Sequence, residues 1–161
     1  MKILVDGYNL LHASGVFGEV RGAGGFESSR RALLDALARL LGEARNHTTV
    51  VFDAADAPPG LPDRHRHDGI EVRFARSHPN ADALIEEIIE KHDAPGSLTV
   101  VSADNRVIAA ARRRRATAAS SGEWFAALRD AARRADDAPD SKPRPPASDH
   151  EVERWLREFG F

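Results

Sequence analysis

The sequence predicts an α/β fold built on a parallel sheet of five strands. Short runs rich in Val, Ile, Leu and Phe recur along the chain, and segments with apolar residues at helical spacing lie between them. This alternation is typical of a parallel sheet whose crossovers are right-handed helices. Two of the runs, VVF and LTVV, are continuous enough to form strands that are buried on both faces.

The predicted strands are short, and the sequence pattern that predicts them is clearer for some than for others. The first is followed at once by a carboxylate and a glycine, so it delivers a charged group to the rim of the sheet. Open α/β sheets keep their active sites at this rim, where the carboxyl ends of parallel strands meet. In chain order the strands are Lys2–Val5, Thr48–Asp53, Ile70–Ala75, Ser97–Ser102 and, as the weakest, Thr117–Ser120.

Four helices are predicted between and after these strands, because their apolar residues repeat every three or four positions. The dipeptide Pro95-Gly96 ends the second helix, and the segment SSGE provides a capping signal for the fourth. The predicted helices are Phe26–Arg45, Ala81–His92, Arg106–Arg115 and one that begins near Ser121.

The 161 residues are enough for one well-buried domain, which we predict over residues 1–135. Residues 136–147 form a Pro-rich, charged linker with nothing to bury. Residues 148–161 are predicted to form an amphipathic helix that opens with a capping box. Because so short a helix is marginal alone, Trp155 and Phe159 are expected to dock on the domain or on a neighbouring subunit, and the helix would then mediate self-association.

Composition excludes several classes of site. The chain has no cysteine, which rules out disulfides and thiolate ligands or nucleophiles. No segment approaches the roughly 20 apolar residues of a membrane span, and the first apolar run is too short for a signal peptide. We therefore expect a soluble, cytoplasmic protein without a membrane partner. The formal net charge of −2 gives no overall indication of a nucleic-acid partner.

Four aspartates lie where such a sheet would bring them together. Asp6 ends the first strand, Asp53 ends the second, Asp104 follows the fourth, and Asp82 lies at the start of the second helix. Taken singly, Asp82 could be a first-turn acid stabilised by the helix dipole, Asp104 a helix cap and Asp53 a turn residue. Capping alone gives no reason for acids at the ends of three separate strands.

A shared acidic site would need a cation, because crowded like charges repel one another. Oxygen ligands without cysteine favour Mg²⁺ or Mn²⁺ over zinc. Such a metal on an α/β sheet can support phosphodiester cleavage. Three further residues are candidates for supporting roles: Ser102 and Asn105 flank Asp104, and Glu86 follows Asp82 by one helical turn.

Four motifs together resemble the NYN domain family of the PIN-like nuclease superfamily, and the bacterial YacP-like ribonucleases in particular. The resemblance covers about residues 1–130, with VDGYNLLH as its most specific motif. The motifs are Val5–His12, Val50–Ala54 (VVFDA), Asn80–Ile89 (NADALIEEII) and Val100–Asn105 (VVSADN).

The resemblance implies a three-layer α/β/α fold with the sheet order 3-2-1-4-5 and a metal-dependent endoribonuclease activity. The metal ligands would be Asp6, Asp82 and Asp104, and Asp53 would complete the acidic pocket of catalytic residues. Asn9 and Ser102 would support them, by binding water on the metal or by orienting a carboxylate.

Several arginines are candidates for contacts with RNA. Arg30 lies on the apolar stripe of the first helix, so it either reaches outward at an edge or points towards the acidic cluster. Arg64 and Arg66 lie in the segment RHRH, which we interpret as an exposed, flexible loop rather than a metal site, with arginines that could reach RNA phosphates. Arg112 and Arg113 end the third helix, where a solvated face is the alternative to an RNA-backbone patch.

The leading hypothesis is a cytoplasmic endoribonuclease that cleaves single-stranded or exposed RNA with Mg²⁺ or Mn²⁺. The alternative is a non-catalytic RNA-binding or ribosome-associated module on the same fold. A phosphatase of the aspartyl-phosphate type is disfavoured, because no second aspartate stands two residues after Asp6.

Overall fold

The computed structural model describes residues 1–15 and 23–137, which form a six-stranded sheet between two helical layers. The strand order is β3-β4-β2-β1-β5-β6, and only β3 runs antiparallel to its neighbour. The strands are β1 (Lys2–Asp6), β2 (Thr48–Phe52), β3 (Arg64–His67), β4 (Ile70–Phe74), β5 (Leu98–Val101) and β6 (Thr117–Ala119).

Five helices cover the two faces of the sheet. On one face the core includes Leu10, Leu33 and Phe125, which belong to α1, α2 and α5. On the other face Leu84 and Val107 bring in α3 and α4. The helices are α1 (Gly7–Ser14), α2 (Ala23–Leu41), α3 (Ala81–Lys91), α4 (Asn105–Arg113) and α5 (Ser121–Asp137).

The α/β/α architecture is confirmed, and the five predicted strands lie in the predicted order. The strand count is a correction, because β3 forms where we predicted a flexible loop. Asp68 and Gly69 both have positive φ, at 47° and 91°, and they join β3 to β4 as a tight two-residue hairpin. An Asp-Gly pair before an alternating apolar run is a strong hairpin signal, which the interpretation of RHRH as a loop overlooked.

The helices also differ from the predicted ones. Helix α1 was not predicted, because a glycine directly after a strand, here Gly7, is typical of a turn and not of the start of a helix. Helix α2 begins at Ala23 and ends at Leu41, since Gly42 takes a positive φ of 55° and the chain continues as a 3₁₀ helix over Gly42–His47. Helix α5 continues to Asp137, two residues past the predicted boundary. The rest of the predicted linker and the whole C-terminal helix lie outside the described residues.

Gly7 is required where α1 meets the sheet. A β-carbon at this position would lie 2.5 Å from a ring carbon of Phe52, a side chain with no solvent exposure at the end of β2. The missing side chain therefore lets the first turn of α1 pack directly on β2. This contact fixes the direction in which the chain leaves β1.

Gly7→Ala is expected to destabilise the protein by about 1–3 kcal/mol, because the Phe52 ring cannot move aside in a packed core. The intrinsic helix preference for alanine, about 1 kcal/mol, acts in the opposite direction and is outweighed. Gly122→Ala in α5 is the matched control, since its β-carbon would meet nothing within 4 Å. Urea denaturation should show a lower free energy of unfolding for Gly7→Ala and no loss for Gly122→Ala. Equal denaturation midpoints for the two variants would contradict the packing argument.

No helix in residues 1–15 and 23–137 combines the length and the apolar character needed to cross a bilayer.

Candidate active site

The carboxyl ends of the parallel strands form the edge of the sheet at which the four aspartates lie. Asp6 is the last residue of β1, and Asp53 directly follows β2. Asp104 caps the helix that follows β5, and Asp82 is the second residue of α3. The parallel register of β1 with β2 and β5 brings these ends together.

Asp6 is the most buried of the four, with 2% exposure. Its Oδ2 accepts hydrogen bonds from Asn9 Nδ2 at 2.6 Å and from Ser102 Oγ at 3.1 Å, and its Oδ1 caps α1 through the backbone N–H of Asn9. Burial raises the pKa of Asp6, and the bonds from Asn9 and Ser102 partly oppose that effect. Asn9 and Ser102 therefore fix the orientation of this carboxylate.

Ser102 connects Asp6 to Asp104. The serine is fully buried, and its hydroxyl accepts a hydrogen bond from the backbone N–H of Asp104 at 3.0 Å while it donates to Asp6. Asp104 is half-buried, and its Oδ1 accepts from the N–H of Arg106 at 2.8 Å as the N-cap of α4. The cap alternative for Asp104 is thus correct, and it coexists with a place in the cluster.

Asp53 connects the end of β2 to the start of α3. Its Oδ1 accepts a hydrogen bond from the N–H of Ala81 at 2.6 Å. Asn80 caps the same helix by accepting from the N–H of Ala83 at 2.9 Å. These two bonds satisfy donors at the helix N-terminus and hold the first turn of α3, which carries Asp82, against the sheet edge.

Asp82 interacts electrostatically with all three other aspartates. Partial burial and the negative charges of Asp104, Asp6 and Asp53 raise the pKa of Asp82 to about 6. Asp104 is also close enough to share a hydrogen bond with Asp82 when the latter is protonated. The four side chains that the sequence places at separate ends therefore form one acidic cluster.

The donor set of this cluster fits a hard divalent cation. Burial is the largest cause of the raised pKa values of Asp6 and Asp82, and the negative charges of neighbouring aspartates raise them further; a cation would remove that repulsion. No three of these carboxylates bring ligand atoms within 4.8 Å of one another, since among the described residues that spacing occurs only at Asp35, His67 and Asp68. Mg²⁺ usually keeps several waters and needs only one or two carboxylates, so a looser group still fits.

The Asp35, His67 and Asp68 group is exposed or half-exposed and lies elsewhere in the fold. His67 pairs with Ile70, the first residue of β4, so the group lies towards the opposite end of the strands from Asp53. Its spacing would admit a metal ion, but exposed acidic groups are common without one.

Glu86 is bound by an arginine that the sequence did not single out. Arg106 donates to both carboxylate oxygens of Glu86, at 2.7 and 2.9 Å, and so ties α3 to α4 beside the cluster. Nothing in the sequence indicates a pairing across 20 residues, because it depends on how the two helices pack. The predicted supporting residue Asn105 is exposed at the first position of α4.

Arg30 is 2% exposed, so the alternative in which it reaches outward is wrong. Its guanidinium carbon lies 5.3 Å from the ring centroid of Phe74, at the end of β4, and a nitrogen lies 4.0 Å from Glu27. Buried arginines of this kind stack on aromatic faces. A role for Arg30 towards the carboxylates stays a prediction.

The four predicted RNA-binding arginines occupy two separate places. Arg64 donates to Glu71 at 3.0 Å, and Arg66 donates to the carbonyl of Gly69 at 2.9 Å, so both are ordered within the β3–β4 hairpin. Arg112 and Arg113 are exposed in the last turn of α4, about 13 Å along the helix from Asp104. RNA contact at either place stays a prediction.

Comparison with known proteins gives the family of this chain. The model of the YacP-like NYN domain family matches residues 3–158. The chain belongs to this family. The family is one of PIN-like nuclease domains.

Individual relatives are more distant. The chain is 32% identical over 88 residues to YacP of Bacillus subtilis (strain 168), described as an uncharacterized protein. The match covers 55% of this chain and 51% of that protein, so it spans about half of the relative's length. Two crystal structures of Rae1 (YacP) from Bacillus subtilis share the fold. The first superposes with a TM-score of 0.62 at 22% identity. The second, the W164L mutant, superposes with a TM-score of 0.61 at 24% identity. Each comparison covers 99% of this chain and 84% of the other.

Proposed function

We propose that this protein is a cytoplasmic, metal-dependent endoribonuclease that hydrolyses phosphodiester bonds of single-stranded or exposed RNA. The observation that carries the proposal is the meeting of four aspartates at one edge of the sheet, where burial and the charges of the other three raise the pKa of Asp82 to about 6. A protein gains no stability from such a cluster. The arrangement is explained if the cluster holds a cation at the place where substrate arrives.

The proposal gives each residue a role. Asp6, Asp82 and Asp104 would hold Mg²⁺ or Mn²⁺, with Asp53 close by. Such a cation, when bound, activates water and stabilises the charge that develops on a phosphate. Asn9 in α1 and Ser102 directly after β5 keep the carboxylate of Asp6 in one orientation by donating hydrogen bonds to it.

Cleavage should depend on the divalent cation. Purified protein with a labelled single-stranded RNA is expected to give internal cuts in Mg²⁺ or Mn²⁺ and none in EDTA, because the carboxylates alone carry the wrong charge to bind a phosphate. Adding excess Mn²⁺ back should restore the products on a denaturing gel. Cleavage that continues at the same rate in EDTA would contradict the proposal.

One observation favours the alternative of a non-catalytic RNA-binding module. Among the described residues, the ligand atoms of the four aspartates are not within 4.8 Å of one another in any group of three. A protein that binds RNA with unchanged affinity in EDTA and gives no cuts in either metal would be of this second kind. Ribosome association, and self-association through residues 148–161, stay predictions.

A further inference from the structure

The sheet face beside α3 carries unpaired positive charge close to the acidic cluster. In an antiparallel pair, residues directly opposite each other project to the same face, and Arg64 lies opposite Arg73. Like charges in such a pair destabilise a hairpin. Glu71 neutralises one of them by accepting from Arg64 at 3.0 Å.

Arg73 is left without such a partner. It is half-buried, and its side chain forms no hydrogen bond or ion pair with residues 1–15 and 23–137. A half-buried guanidinium with five donors and a second arginine opposite it lacks an anion. The register places Arg73 beside Val51, two residues before Asp53, so the two α-carbons of Arg73 and Asp53 are about 8 Å apart.

A cavity of about 640 Å³ extends from Arg73 along the flank of α3 towards the amino ends of β1 and β5, and none of its described lining residues is a cluster aspartate. One wall is formed by Leu84, two residues after the cluster aspartate of α3, and further cations, Lys2 and Lys91, line the cavity. Two carboxylates also line it: Glu87 already accepts from Lys91 and from His78, and Asp93 is exposed. The volume is within the range of sites that hold a nucleotide-sized ligand.

We propose that Arg73, with Arg64 and Lys2, forms a phosphate-binding track that holds the RNA backbone along α3, from the strand end beside Asp53 to the opposite end of the sheet. The inference rests on the proposed function for its choice of RNA as the polyanion. The fork of donors on Arg73 binds a phosphate in a bidentate manner, and the phosphate supplies the anionic partner that the Arg73 side chain lacks. The backbone then continues into the cavity beside α3.

The test is RNA binding in EDTA, where no cleavage is expected, with a fluorescein-labelled single-stranded RNA and several KCl concentrations. Arg73→Ala should raise the Kd on the order of 10-fold. It should also reduce the slope of log affinity against log salt by about 0.7, the value for one lost phosphate contact on a single strand. Arg73→Glu should weaken binding further. It should also melt no lower than the wild type, because it places opposite charges across the strand pair.

Arg39→Ala is the control, since Arg39 is equally charged but exposed on α2, on the other face of the sheet. The phosphate-binding track would be contradicted if the slope of log affinity against log salt were unchanged in Arg73→Ala. It would also be contradicted if Arg39→Ala reduced that slope equally. Because binding is measured without cleavage, that result would leave the proposed catalysis standing. A wild-type protein that binds RNA through Arg73 and never cuts it would support the track and contradict the catalysis.

Discussion

Asp104→Asn is expected to abolish RNA cleavage, with a loss of at least about 10²–10³-fold, while the protein stays folded. The fold is preserved because asparagine is as good an N-cap as aspartate and keeps an oxygen for the N–H of Arg106. The backbone N–H that donates to Ser102 is also unchanged. What the variant loses is one negative charge beside Asp82, and with it part of the site for the cation.

The measurement is the initial rate of cleavage in Mg²⁺ together with the melting temperature of the same sample. Asp130→Asn serves as the matched control, because Asp130 is an exposed carboxylate of α5 on the other side of the sheet. It should cleave like the wild type. If Asp104→Asn, prepared in the same way, retained wild-type cleavage, then either the activity would belong to a contaminant or the cluster would not be the active site.

The convergence of the aspartates was predictable from chain direction together with the strand order that the family resemblance implies. Parallel strands end at one edge, and the carboxylates at the ends of β1, β2 and β5 lie close together because β2 and β5 are the two neighbours of β1. The position of Asp82 in the cluster was predictable in the same way, since α3 begins at that edge. The contacts of Ser102, whose hydroxyl connects Asp6 to Asp104, agree with its predicted supporting position.

The parts that were not predictable depend on contacts between residues far apart in the chain. The glycine after Asp6 reads as a break, but it is there because Phe52 lies against it, and the chain continues directly into α1. The pairing of Arg106 with Glu86 likewise depends on the packing of two helices. The β3–β4 hairpin is different. Its Asp-Gly pair is present in the sequence and predicts a hairpin, but the segment was interpreted as a loop.

Asp82→Asn is expected to lose cleavage and, in metal-free buffer, to gain stability. The folded-state pKa of Asp82, about 6, lies above its ordinary value of 3.8, so ionisation of this group opposes folding. Stability from this group is fully present below pH 3.8 and is lost as the pH rises through 6. Asparagine does not titrate. The stability difference between variant and wild type should therefore grow from near zero at about pH 4 to its full value above pH 7.

The size of the stability change follows from two opposing contributions. The shift of the pKa corresponds to about 1–2 kcal/mol once solvent screening of a half-buried group is allowed for. A carboxylate in the first turn of α3 also gains about 0.3–1 kcal/mol from the helix dipole, which the variant gives up. The raised pKa indicates that burial and repulsion from the other aspartates outweigh the helix dipole. We therefore expect a net gain of a few degrees in melting temperature at pH 7.5 in EDTA.

Thermal melts at pH 4.5 and pH 7.5, with and without Mg²⁺, separate this explanation from a general effect of removing charge. Glu90→Gln is the control on the same helix, because Glu90 is exposed near its other end, and it should show no pH-dependent gain. Mg²⁺ should stabilise the wild type more than Asp82→Asn, because a cation that binds only the folded state raises the melting temperature more when its affinity is higher. An Asp82→Asn variant that melts below the wild type at pH 7.5 in EDTA would contradict the repulsion among the four carboxylates. A gain in stability joined to a loss of cleavage is the result expected if these side chains are arranged for binding a cation and a phosphate rather than for folding.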